Sequence, residues 1–227
     1  MKDIRESILT IPINEVLEPH SGCPVCLMRD MLESRTVAYI MGDAMMEPDV
    51  RIETNKTGFC ERHFMQMKNQ KNRLSLALML QTHLAQLDND YFGGKPYAKK
   101  DPRTEKIKHT LEDCFVCNAI ERGMLRLTQT LCEMSADPEG YKLIAEQEMI
   151  CLPHFRYLAD TAPRFLSKKS LDAFLSLITE LTKKQVQLLY GDVSHFCSMY
   201  DYRNSGKDAD WGNSRDSIER AIKFLCT

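Results

Sequence analysis

Apolar residues along this chain recur at three- and four-residue intervals rather than alternating, so the pattern predicts helices and no convincing strand. Residues 25–46 have no internal proline, carry Leu27, Met31, Val37, Ile40, Met41 and Met45 at helical intervals, and stop before Glu47-Pro48-Asp49. A second helix is expected after Gly58, running through Met67. A third spans about Asn72 to Tyr91, where Leu76, Met79, Leu80, His83, Leu84 and Leu87 form a broad apolar stripe that ends at Gly93-Gly94. The rest of the chain repeats this plan. One helix covers Val116 to about Met134, a break falls at Asp137-Pro138-Glu139-Gly140, and a short helix lies near Tyr141–Gln147. Cys151-Leu152-Pro153-His154 opens another, and residues 168–190 keep a helical period up to Gly191, which could cap or interrupt it.

The flanking segments read differently. Thr10-Ile11-Pro12-Ile13 looks like an extended lead with a short turn into Cys23. Gly93 to Lys108, rich in Gly, Pro and Lys, reads as a solvated connector. Its basic side chains Lys95, Lys99, Lys100, Arg103, Lys106 and Lys108 could touch phosphate, but an exposed linker is the simpler account. Tyr202 to Asp210 is polar and loop-like, and Ser214 can cap a last amphipathic helix carrying Ile218, Ala221, Ile222 and Leu225, expected to dock on the bundle. Trp211 just before it is favoured as an anchor against the core, with a partner surface as the alternative. The expected division is a first repeat over 1–94, a connector over 95–108, a second repeat over 109–203 and a C-terminal loop and helix over 204–227.

Superposed on this pattern is a duplicated motif. Cys23-Pro24-Val25-Cys26 is answered by Cys60 and His63, and Cys114-Phe115-Val116-Cys117 by Cys151 and His154. Sliding residues 21–70 onto 112–161 superposes all four candidate ligands, and also Val25 on Val116, Arg35 on Arg126 and Phe64 on Phe155, while little else matches. Three thiolates and one imidazole are a full tetrahedral complement for zinc, so the expectation is two zinc ions per chain. A cysteine and a histidine three residues apart on the first turn of a helix share one face and can both reach one ion. Disulfides would leave His63 and His154 recurring for no reason. Iron–sulfur ligation is chemically possible but rarer with this donor set, and a thioredoxin-like CxxC would need a βαβ setting that these flanks lack.

Either CxxC could close with its own repeat's CxxH or with the other's. Equal intervals of 33 residues between the halves favour closure within each repeat, with the exchanged arrangement left open. Four protein donors leave no free coordination position, which points to structural rather than catalytic metal. Arg35 and Arg126 could pair with a carboxylate across the hairpin, offset the charge of such centres or simply be solvated. His20, His83, His109 and His195, and Cys132, Cys197 and Cys226, have no counterparts in the opposite repeat and are left out of the sites.

Composition narrows the setting. The 227 residues carry 30 basic and 32 acidic side chains, a formal charge of −2, so no strong field draws the chain to nucleic acid or an anionic membrane. No segment is apolar enough to span a bilayer, and Met1 to Pro19 lacks the apolar stretch of a secretory signal. Nine cysteines without a signal point to a reducing cytoplasm.

The Ile-Pro-Ile lead, the CPxC knuckle, the Gly58-Phe59-Cys60 segment with His63, the second CxxC with Cys151, His154 and Phe155, and the tryptophan ahead of Arg220-Ala221-Ile222 together resemble an uncharacterised bacterial family with duplicated cysteine–histidine motifs. The resemblance spans nearly the whole chain and departs from an exact repeat at Phe115, where the first knuckle has Pro24. It implies an architecture but no activity. The chain also lacks a P-loop, a GxGxxG after a strand, HExxH and GxSxG.

The fold expected is therefore all-α, two tandem helical repeats each with a Cys3His metal site, plus a C-terminal docking helix. The function expected is a zinc-stabilised interaction or regulatory module with an unknown protein partner and no membrane partner, DNA-linked regulation through the basic connector being a weaker third option. It is read as a non-enzyme, with a thiol-based redox sensor or a metal-dependent enzyme as the alternative.

Overall fold

A computed structural model describes residues 11–201, 203 and 210–226. Every regular element among them is helical: α1 Ile11–Leu17, α2 Pro24–Met41, α3 Pro48–Thr57, α4 Glu61–Lys68, α5 Arg73–Leu87, α6 Arg103–Glu112, α7 Phe115–Ser135, α8 Pro138–Ala145, α9 Leu152–Thr161, α10 Lys168–Ser198 and α11 Ser217–Cys226. The all-α reading holds, and no described helix is long and apolar enough to cross a membrane.

Local chemistry sets many of the boundaries. Asn72 accepts from the Ser75 amide to start α5, Asp137 from the Glu139 and Gly140 amides to start α8, and Ser167 from the Ser170 amide to start α10. Proline explains two departures from expectation. Pro48 sits in the first turn of α3, so the predicted stop is also a start, because a helix needs no amide proton there. The segment read as an extended lead is helical from Ile11 onward, with Pro12 in the first turn and Ile13, Val16 and Leu17 buried on one face. Thr10 lies outside the described residues, as does most of the Tyr202–Asp210 segment. Gly191 neither caps nor interrupts, for α10 runs through it to Ser198.

The chain divides into two compact units, Met1–Met28 with Leu125–Thr227, and Arg29–Met124. These cut across the expected repeats, and the chain passes between them inside α2 and inside α7. The expected connector is also shorter, because α6 begins at Arg103. In the first unit Ile13, Leu17, Val25, Met28, Leu131, Ile144, Ile150, Leu158, Phe174 and Ile178 are shut off from solvent, with α9, α10 and α11 in mutual contact. Trp211 packs there edge-on to Phe196 and Tyr200, with centroids 5.7 and 6.1 Å away. Helix α11 docks by Ser217 and Phe224, whereas Ile218, Ile222 and Leu225, expected to face the core, are 43%, 57% and 52% exposed.

In the second unit α5 packs on α3 and α4, over a core that includes Val37, Ile40, Met67, Leu76 and Met79. There α2 and α7 approach so closely that a Cβ on Gly123 would stand 2.8 Å from the Leu32 side chain. Leu32 and Gly123 occupy equivalent positions when the two motifs are superposed, so the helices touch at matching points of the two repeats.

Candidate metal centres

All eight predicted side chains converge, in two quartets: Cys23, Cys26, Cys151 and His154 in the first unit, and Cys60, His63, Cys114 and Cys117 in the second. Within each quartet the donor atoms all lie within 4.8 Å of one another. The favoured closure within each repeat is thereby overturned, for each CxxC meets the CxxH of the other repeat. Cys23 and Cys26 open α2 in the unit that also holds the start of α9, whereas Cys60 and His63 open α4 in the unit that holds the start of α7. Equal intervals could not reveal this, since a reciprocal exchange preserves them equally well.

The local geometry of the halves is repeated faithfully. Each CxxC straddles a helix start, with Cys23 before α2 and Cys114 before α7, and the second cysteine in the first turn. Each CxxH places its cysteine at the cap and its histidine at the third helical position. Cys60 has φ −70° and ψ 162°, and Cys151 has φ −72° and ψ 158°. At two of these starts backbone amides reach sulfur: Cys117 N–H donates to Cys114 Sγ at 3.5 Å, and the His63 and Arg62 amides hydrogen-bond Cys60, which favours negative sulfur.

Distances match a tetrahedral ion. Metal–sulfur bonds near 2.3 Å and metal–nitrogen bonds near 2.0 Å require about 3.8 Å between sulfurs and about 3.5 Å between sulfur and nitrogen. Cys26 and Cys151 Sγ are 3.7 Å apart, and Cys60 and Cys117 Sγ 3.9 Å. His154 Nδ1 lies 3.7, 3.2 and 3.1 Å from the sulfurs of Cys23, Cys26 and Cys151. His63 Nδ1 lies 3.2, 3.2 and 3.5 Å from those of Cys60, Cys114 and Cys117. Sulfurs at these separations are far beyond the roughly 2.05 Å of a disulfide, and all nine cysteines are free.

Crowded thiols cannot all ionise without a cation. Hydrogen bonds from Cys151 and Cys26 hold the Cys23 thiol far below its usual range, and the same contacts from Cys151 and Cys23 push Cys26 far above it. Burial disfavours the charged ring of His154, but hydrogen bonds to Cys151 and Cys23 outweigh that and raise it to about 9. In the second unit Cys117 is pushed up to about 12, first by desolvation and then by Cys114. A divalent ion would relieve this competition by replacing the shared protons.

The quartets differ in their surroundings. The first is wholly buried, whereas in the second Cys117 is exposed and Cys60 half-buried. His63 has a partner that the sequence did not disclose. Its Nε2 donates to Glu33 Oε1 at 2.8 Å, and Arg62 pairs with the same oxygen. A carboxylate behind the histidine fixes the tautomer that presents Nδ1 to an ion. The position equivalent to Glu33 in the other repeat is Met124, and His154 Nε2 has no hydrogen-bond partner among the described residues. The unequal knuckles also acquire a meaning: the Phe115 amide donates to the Gly58 carbonyl at 3.0 Å, tying the second quartet's halves together, while Pro24 has no amide proton to give.

The other candidates stand apart from both quartets. Cys132 is buried, and Cys197 and Cys226 are exposed. Arg35 and Arg126 are exposed and are not among the eight clustered side chains. A family model described as a family of unknown function, DUF6062, matches residues 4–227, and the chain belongs to that family. Neither a curated protein nor a solved structure matches the chain.

Proposed function

We propose that this chain is a cytoplasmic, zinc-binding helical protein in which Cys23, Cys26, Cys151 and His154 hold one ion and Cys60, His63, Cys114 and Cys117 another. The observation that carries this reading is the convergence of three sulfurs and one imidazole nitrogen at tetrahedral spacing, twice. Thiolate-rich sets with one imidazole suit zinc over harder cations. With all four positions filled by protein, the ions serve the fold rather than a reaction. Structural zinc contributes on the order of 10–16 kcal/mol at neutral pH, more than most domains have to spare. The chain then acts through its surface, as an interaction or regulatory module for a protein partner. The half-exposed apolar residues Ile218, Ile222 and Leu225 on α11 support that role. Elemental analysis tests the metal: two zinc ions per chain are expected, with loss of far-ultraviolet dichroism on complete chelation. Iron, or full helicity without metal, would overturn the reading.

A second reading, a thiol-based redox sensor, is favoured by one observation, the exposure of Cys117 beside half-buried Cys60. Peroxide would take two electrons from this thiolate pair, form a disulfide, be reduced to water and release the ion. Reversible loss of one zinc per chain under mild peroxide is its signature. Retention of both refutes it.

A further inference from the structure

Within the second unit, α4, α5 and α6 border a cleft of about 610 Å³ whose wall runs along Gly58, Phe59 and Cys60. This is the size range of small-molecule sites. Its lining is apolar and rich in rings: Phe59 and Phe64 meet edge-on at 5.4 Å, and Phe92 is 62% exposed beside Leu84 at 60% and Leu111 at 76%. Such a concentration of open apolar surface on one concavity is area that an occupant would remove from water.

A ring nitrogen among the aromatic lining residues is left over. His83 Nδ1 lies 2.8 Å from the Asn55 carbonyl oxygen, which can only accept, so Nδ1 carries a proton and Nε2 is the ring's acceptor in that tautomer. Among the described residues no hydrogen-bond donor meets that Nε2. The Cε1–Nε2 edge of the ring occupies the space where a side chain on Gly58 would stand, 3.0 Å from an added Cβ, and Gly58 has φ +63°. The Tyr91 and Thr110 hydroxyls, also in the lining, are engaged with each other at 2.7 Å. Glu61 is in the lining and neither lysine nor arginine is, so the charge disfavours an anion.

We propose that this cleft binds a neutral aromatic small molecule bearing one hydrogen-bond donor, of the phenol or indole kind, with its ring among Phe59, Phe64 and Phe92 and its donor on His83 Nε2. The inference goes beyond the metal reading and holds whichever ion the quartets carry. Ring stacking and burial supply affinity, and the His83 acceptor beside the rings supplies selectivity.

Calorimetric titration of the 227-residue chain, as purified at pH 8, tests it with 2-naphthol and 2-methoxynaphthalene, which share a ring system but differ in the donor. One 2-naphthol per chain is expected, with the ether about tenfold weaker, the factor one hydrogen bond provides. His83→Leu should bring the two probes to similar affinity. Leu111→Asp, at an exposed rim position, should weaken both while leaving the helical dichroism unchanged. The proposal is overturned if the native chain binds neither probe, if it binds both equally, or if Leu111→Asp binds as tightly as the parent.

Discussion

Glu33 offers a sharp test of how the two centres differ. Its carboxylate accepts from His63 Nε2 at 2.8 Å, with the imidazole fully buried and the carboxylate side chain 17% exposed. Removing a carboxylate that orients a metal-bound histidine typically costs 10- to 100-fold in metal affinity, about 1.4–2.8 kcal/mol. Glu33→Ala loses both the acceptor and the charge and should reach the upper part of that range. Glu33→Gln keeps an acceptor and should fall in the lower part. The measurement is zinc transfer to a chromophoric chelator, resolved into two steps of one ion each. Cys26→Ser, which disables the buried quartet, identifies which step belongs to which site. Only the ion held by Cys60, His63, Cys114 and Cys117 should be released more readily in the Glu33 variants. Equal acceleration of both steps would show a general loss of stability, and no change in either would refute the orienting role.

Four further outcomes are expected. Gly140→Ala should destabilise by about 3 kcal/mol, because the added carbon would stand 2.2 Å from the Met134 carbonyl oxygen, a backbone atom that cannot swing away. Gly191→Ala, in open space within α10, should instead stabilise by roughly 0.5–1 kcal/mol, and chemical denaturation midpoints read both. Iodoacetamide at pH 8 should label Cys197 and Cys226 rapidly and spare Cys132, whose thiol is pushed up to about 12 by burial and so stays protonated below that pH. Mass mapping of the labelled peptides checks this, and early labelling of Cys132 in the folded chain would contradict it. Under limiting chelator, Cys60 and Cys117 should become reactive before Cys23 and Cys26, following the exposure of the two quartets.

The eight side chains that cluster stood out in the sequence because metal chemistry would demand particular residue types at particular offsets, and Cys60 with His63 must share a helical face wherever α4 lies. Their pairing was not, since spacing along the chain says nothing about which helix end lies beside which. Glu33 escaped for a related reason. A search built on repetition sees only what recurs, and the equivalent position holds Met124. The helical class followed from periodicity, yet Pro48 was read as a stop and α3 went unseen, because proline is as much at home in a first turn as beyond a last one. On α11 the apolar stripe of Ile218, Ile222 and Leu225 suggested the buried face, whereas small Ser217 and ring-bearing Phe224 are the residues that pack. Amphipathicity reveals that a helix has two faces but not which neighbour each will find.

The reciprocal exchange of knuckles makes each half of the chain incomplete by itself. A break in the segment between Gly94 and Arg103 would leave one fragment with Cys23, Cys26, Cys60 and His63, and the other with Cys114, Cys117, Cys151 and His154, and each fragment would own half of two different coordination spheres. Only the reunited pair could close both, so the ions would act as rivets between the severed pieces, and reassembly would depend on supplying the metal.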